Sequence, residues 1–333
     1  MKHLLITLIY ICTCTSAMAQ TGQQTVQRRA VKKYIQRAEK KRNEIWNLPL
    51  PAFFNSQIPE KYTDAKAIVL ADYDSVVYRR NWLFMPFVIQ CVFMPIPHME
   101  YFVGAERLKR TRIAINSEES VARYSKIRCP HKLRYHTWHD YSCYGSSTET
   151  NVYDHFYDIR ATSNSKANLV MGIRIEKPDG RCIEVDTNPY LQPLEKDEQL
   201  TNRPDSISLS DLEVGDIVDF FVYEREHFIS GLAPYTYSVQ QEYPIVSWAC
   251  RIQSSKRLDL SFIRHGGAPE FTVTKNKRGH FLLRIDTVDV DTSTTNVLQH
   301  IVTRVNNRSI SPKSIRKKGV TDCTNKVTSL HWF

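Results

Sequence analysis

The stretch Ser208 to Tyr223, SLSDLEVGDIVDFFVY, constrains the fold of this chain more than any other. A tight Leu212-Glu213-Val214-Gly215-Asp216 turn launches residues that are apolar at both parities. Ile217, Phe221 and Tyr223 point one way, and Val218, Phe220 and Val222 the other. A strand greasy on both faces must be covered on both faces, which makes it a core strand. Asp219 alone breaks the pattern, and with Asp216 it is the only part of the stretch able to do chemistry.

Further strand signals surround it. Ala67 to Leu70 and Ser75 to Tyr78 come first, then Arg112 to Asn116 and Val121 to Ile127, for which the polar Ser117-Glu118-Glu119-Ser120 reads as a hairpin connection. Leu169 to Glu176 and Arg181 to Asp186 flank Lys177-Pro178-Asp179-Gly180, where proline presets the first turn dihedral and glycine supplies a positive one. Strands follow at Tyr235 to Tyr243, Ile245 to Ile252, Leu258 to Phe262, Phe271 to Thr274 and His280 to Ile285. This succession, without intervening helices, predicts an all-β antiparallel β-sandwich.

Before the strands, Val31, Tyr34, Ile35, Ala38, Ile45 and Trp46 recur at helical spacing between Gln23 and Trp46, with basic residues on the other faces. Leu48-Pro49-Leu50-Pro51 forbids continuation of this amphipathic helix. Ahead of it, Met1-Lys2-His3, the short apolar run Leu4 to Cys12 and Ala17-Met18-Ala19 form a secretory signal with cleavage before Gln20. No later segment is long and apolar enough to span a bilayer. Trp82 to Pro97 comes nearest, and Pro86 and Pro95 suit strands and turns better than a helix. The resulting division is 1–19 signal peptide, 20–50 basic helix and Pro-rich linker, 51–290 β-sandwich domain, and 291–333 basic tail or truncated start of a following region. The expected location is exported, periplasmic or extracellular.

A net charge of +10 would suit nucleic acid, but an exported chain meets anionic lipid and polysaccharide first. The surplus is concentrated in residues 28–44, with eight Lys or Arg against two Glu, and again at Lys313, Arg316, Lys317 and Lys318. After signal removal six cysteines remain, Cys91, Cys129, Cys143, Cys182, Cys250 and Cys323, whose fifteen possible pairings the sequence leaves open.

Several pieces together resemble a known family. They are Arg110 to Ile115 with Val121 to Pro130, Lys177 to Arg181, Leu212 to Ile217, and Ser238 to Val246. In this order they look like the bacterial domain of unknown function that stands N-terminal to transglutaminase-like domains in exported proteins of Gram-negative bacteria. The resemblance covers roughly Pro59 to Thr274. It implies a β-sandwich of unassigned role with no catalytic residues to carry over, followed by a transglutaminase-like domain bearing a Cys, His and Asp triad. The stretch Arg80 to Arg107 is longer and more aromatic than the family pattern.

The residues best suited to ligand chemistry are Cys129, His131, His136, His139 and Cys143. Their types suit zinc, but the spacing matches no common zinc signature, and Arg128, Lys132 and Arg134 crowd the stretch with positive charge. We expect no bound metal and no cofactor; a Cys129–Cys143 disulfide is the competing fate of the two thiols. For nucleophilic catalysis the thiols to weigh are Cys250 and Cys182, both in strand-like runs with no local histidine. Tyr235, Tyr237 and Tyr243 could stack sugars or simply fill core. The expectation is therefore a non-catalytic module that binds or scaffolds, with a transglutaminase-like domain, an envelope protein or polysaccharide as partner. The rival is a thiol-dependent enzyme of transglutaminase or peptidase type, present as a truncated fragment.

Overall fold

The computed structural model describes residues 28–87, 96–130, 132–136, 154–158, 164–193, 204–229, 235–239, 242–255, 258–266, 268–275, 277, 281–290 and 300–307. The signal segment, His131, His139, Cys143 and the basic cluster at 313–318 lie outside them.

Helix α1 occupies residues 28–46 and stops at the proline-rich segment, as the spacing predicts. Tyr34, Ala38, Arg42, Ile45 and Trp46 are its buried positions, while Ile35, placed on the apolar stripe by spacing, is 37% exposed. A 3₁₀ turn, Pro51–Phe54, follows and buries Phe53.

Two long strands carry the middle of the fold. β1 (Ala67–Phe87) and β2 (Ile96–Ile115) form an antiparallel hairpin whose register runs from Ala67 opposite Ile115 to Phe87 opposite Ile96. The two short strands expected at Ala67 to Leu70 and Ser75 to Tyr78 are thus one. Asp72 and Asp74, which look like an interruption, are paired across to Thr111 and Lys109.

After β2 the expected hairpin gives way to helix α2 (Glu118–Tyr124). Ser117 Oγ accepts the Ser120 N–H at 3.2 Å and Ser120 Oγ accepts the Ser117 N–H at 3.1 Å. This reciprocal cap satisfies two helix-end donors, and Glu118 and Glu119 complement the dipole of the first turn. Together they outweigh the strand preference of Val121.

The remaining elements are β3 (Lys126–Arg128), β4 (Lys132–His136), β5 (Asp154–Asp158), β6 (Leu169–Glu176), β7 (Cys182–Glu184), α3 (Asn188–Leu191), β8 (Ser206–Ser208), β9 (Ile217–Ile229), β10 (Tyr235–Ser238), β11 (Ile245–Ser254), β12 (Leu258–His265), β13 (Thr272–Lys275), β14 (Phe281–Val290) and β15 (His300–Asn307). The last lies inside the region read as tail, yet it is the centre of a three-stranded sheet, β10-β15-β12.

An eight-stranded sheet runs β13-β14-β11-β1-β2-β9-β6-β7. It is mixed, which corrects the expectation of a purely antiparallel fold: β1 pairs parallel with β11, from Val69 opposite Ile245 to Tyr78 opposite Ser254. Parallel neighbours need a long crossover, and everything from β2 to β10 lies between these two. The chain is β-rich, with this large mixed sheet and smaller antiparallel ones.

One face of the large sheet carries α1. The Trp46 ring meets the Phe221 ring edge-on at 4.7 Å, and Gly172 leaves room for both. The other face shares its core with the three-stranded sheet through Trp248, Ile252, Leu258 and Ile301. On β9, Val218, Phe221 and Tyr223 are buried, and Phe220 and Val222 are half-buried against the same core. The Lys177–Gly180 and Leu212–Asp216 turns also form as expected, with Gly180 at φ 84° and Gly215 at φ 98°.

Candidate functional site

Strand alternation sorts the ionisable residues of the large sheet into two sets, one per face. On the helix face the exception in the core strand explains itself. Asp219 Oδ1 and Oδ2 accept from Arg110 Nε at 3.0 Å and Nη2 at 2.7 Å, a bidentate pair with both side chains buried. Arg110 also donates to the Ile45 carbonyl at the end of α1, 3.2 Å, and its guanidinium lies 4.4 Å from the Phe53 ring and 4.9 Å from the Trp46 ring. Arg174 stacks on Trp46 at 4.3 Å. Arg112 donates to Glu176 at 2.6 Å and to Ser56 at 2.8 Å. These cations fasten helix, 3₁₀ turn and sheet to one another.

The opposite face holds a charged ribbon across three strands. Asp72 and Asp74 stand on β1, Thr111, Lys109 and Arg107 on β2, and Glu224 and Glu226 on β9. Thr111 Oγ1 donates to Asp72 Oδ1 at 2.8 Å, and Lys109 Nζ lies 3.5 Å from Asp72 and 3.3 Å from Asp74. The Lys109 side chain is 44% exposed against 0% for Asp72, so the cation reaches water and the acids do not. Burial, partly offset by Lys109, pushes the Asp74 carboxyl up to about 6. Arg107 lies 3.0 Å from Glu226 and 3.6 Å from Glu224. Burial and the neighbouring Glu226 push Glu224 up to about 7.

Two carboxyl groups that titrate near neutrality suggest acid–base work. Their placement argues otherwise. Asp74 and Glu224 flank β2 two residues out of line, roughly 12 Å apart at the backbone from strand spacing and rise. Each has its own cation between, Lys109 for one and Arg107 for the other.

The thiols fare no better. Cys250 sits on β11 opposite Asp74, buried to 1% exposure. Burial and then the Asp74 charge raise its pKa well above the ordinary thiol value, the reverse of what a nucleophilic thiolate needs. Cys182 is exposed at the start of β7, and desolvation raises its pKa as well.

Of the five residues with ligand chemistry, Cys129 is buried and donates its backbone N–H to the Asp205 carbonyl at 2.7 Å. His136 is the last residue of β4, opposite Asp154 of β5. His131, His139 and Cys143, and with them the Cys129–Cys143 pairing, fall outside the described residues. Among the described residues no group of three or more His, Cys, Asp or Glu is arranged to hold an ion. Tyr237 and Tyr243 are buried, which makes them core rather than stacking platforms.

Two motifs that carry the family resemblance meet in space. Lys177 Nζ of the first turn donates to Asp216 Oδ2 of the second at 2.9 Å, and the same oxygen accepts the Glu213 N–H at 2.7 Å. They hold turns together. The charged ribbon had no sequence signal, because its acids and bases lie on three strands far apart in the chain.

Neither a family profile nor a curated protein matches the chain. Among solved structures it is similar to a candidate protease from Parabacteroides distasonis, at 10% identity and a TM-score of 0.42 over 72% of this chain and 40% of that one. The chain spans less than half the length of that protein, and a likeness this weak transfers neither fold nor activity.

Proposed function

We propose that the chain is an exported, non-catalytic β-sandwich module of the bacterial envelope, the three-stranded sheet serving as the second layer. It binds or scaffolds, beside a transglutaminase-like domain of the kind the resemblance implies. The observation that carries this reading is the use the sheet makes of its buried charges. Arg110, Arg107 and Lys109 each hold carboxylates of the same sheet, and Cys250 faces an acid rather than a base. Groups committed to one another in this way hold a scaffold, and among the described residues they are tied up rather than poised to attack a substrate.

Alkylation separates this reading from the thiol-enzyme alternative. Folded protein is treated with iodoacetamide at pH 7 and the labelled cysteines are located by mass spectrometry. Cys250 is expected to react only after unfolding, and Cys182 no faster than a small thiol in solution. Rapid labelling of Cys250 or Cys182 in the folded protein would favour an enzyme.

A further inference from the structure

Helix α1 buries one stripe and turns its opposite face to solvent, where cations outnumber the exposed acids Glu39 and Glu44. Arg28, Arg29, Lys32, Lys33 and Lys40 are all exposed there. Among the described residues none of the five is paired with a carboxylate, whereas Lys41 pairs with Glu44 at 2.7 Å. From Arg28 to Lys40 the cations extend over about 18 Å of helix. They sit on a rigid support, because the buried stripe and the Arg110 bond to Ile45 fix the helix to the sheet, and Arg37 Nη1 donates to the Ser165 carbonyl at 3.1 Å.

Exposed apolar groups accompany these cations. Ile35, 37% exposed, lies at helical spacing from Arg28 and Lys32. Phe54, 68% exposed, sits in the 3₁₀ turn that follows the helix in the chain. A broad face of fixed cations on one helix, with the exposed aliphatic Ile35 beside it and the exposed aromatic Phe54 beyond the helix end, matches a flat array of phosphates with acyl chains beneath it. A hydrated polysaccharide would use the charges but not Ile35 or Phe54.

We propose that the outer face of α1 docks the module on an anionic lipid surface, with phospholipid phosphates as its ligands. This rests on the exported-module reading and names its partner. Because the apolar stripe is already buried in the protein, the attachment is electrostatic and reversible. Each neutralised cation lowers partitioning about five-fold.

The full chain is sedimented with vesicles of phosphatidylglycerol and phosphatidylcholine and compared with Lys32→Gln/Lys33→Gln/Lys40→Gln. Glutamine keeps helix propensity, so the variant folds, and its circular dichroism verifies this. The expected result is a loss of roughly 100-fold in partitioning for the triple variant. Lys126→Gln on β3 should stay near wild type, and 1 M salt, where the screening length falls to about 3 Å, should release the protein. Phe54→Ala is expected to weaken binding without changing its salt dependence.

Equal partitioning of wild type and triple variant would overturn the proposal, as would binding that survives 1 M salt or is matched on pure phosphatidylcholine. So would retention on an anionic polysaccharide without vesicle binding. Failure on vesicles with Cys250 unreactive removes the lipid partner and leaves the module; rapid alkylation with intact vesicle binding does the reverse.

Discussion

Asp219 is the residue on which the helix face depends. It is 5% exposed and supplies both carboxylate oxygens to Arg110, which is 3% exposed. Asp219→Ala would leave that guanidinium buried without its counter-charge, a loss of about 3–5 kcal/mol in denaturant unfolding. Arg110→Met with Asp219→Leu should recover much of it, because apolar residues of similar volume remove the desolvation cost together with the pair. The ribbon makes a prediction of opposite character. Asp74 and Glu224 titrate at about 6 and about 7 when folded, above their ordinary 3.8 and 4.5. The native state therefore binds more protons at these two groups than the unfolded chain does, and the stability they contribute is fully present below about pH 4 and is lost as pH rises through 6 and 7. The melting temperature should fall between pH 5 and pH 8. Asp74→Asn with Glu224→Gln should flatten the profile, each group accounting for on the order of 2 kcal/mol.

Among the elements, α1 docks through a gap that glycine leaves. A Cβ at Gly172 would stand 2.8 Å from Trp46 Cζ2 and collide with the Phe221 ring. Gly172→Ala should cost about 1–3 kcal/mol and speed proteolysis within residues 28–46, the helix being the part able to yield. An unchanged proteolysis pattern and melting point would mean that Trp46 does not hold the helix down. This helix was legible in the sequence because its stripe and its proline stop are local, and so were the Lys177–Gly180 and Leu212–Asp216 turns. The core strand was legible from its two-sided apolarity, although the purpose of Asp219 was not, since Arg110 lies 109 residues away. Helix α2 was missed because Ser120 takes the capping position usually held by Glu or Gln, so the stretch reads as a polar turn. The ribbon had no signal at all. Alternation of charged and apolar residues on β1 and β2 looks like solvent exposure until a second layer covers it.

For the molecule as a whole, export is the expectation that organises the rest. The described residues begin at Arg28, so cleavage before Gln20 leaves every described element intact. Mass spectrometry of the protein recovered from the envelope fraction should give a chain starting at Gln20. Met1 retained on cytoplasmic protein would remove both the compartment and the lipid surface met on its far side. The pairing of β1 with β11 bears on the same route. Asp74 and Cys250 are neighbours separated by about 180 residues, a contact order high enough to make folding slow. Until β11 has been made, β1 has β2 on one side and an open edge on the other, a template for any passing strand. The central strand thus acts as a timer that delays closure of the sheet until nearly the whole domain exists, which would suit the export proposed for this chain.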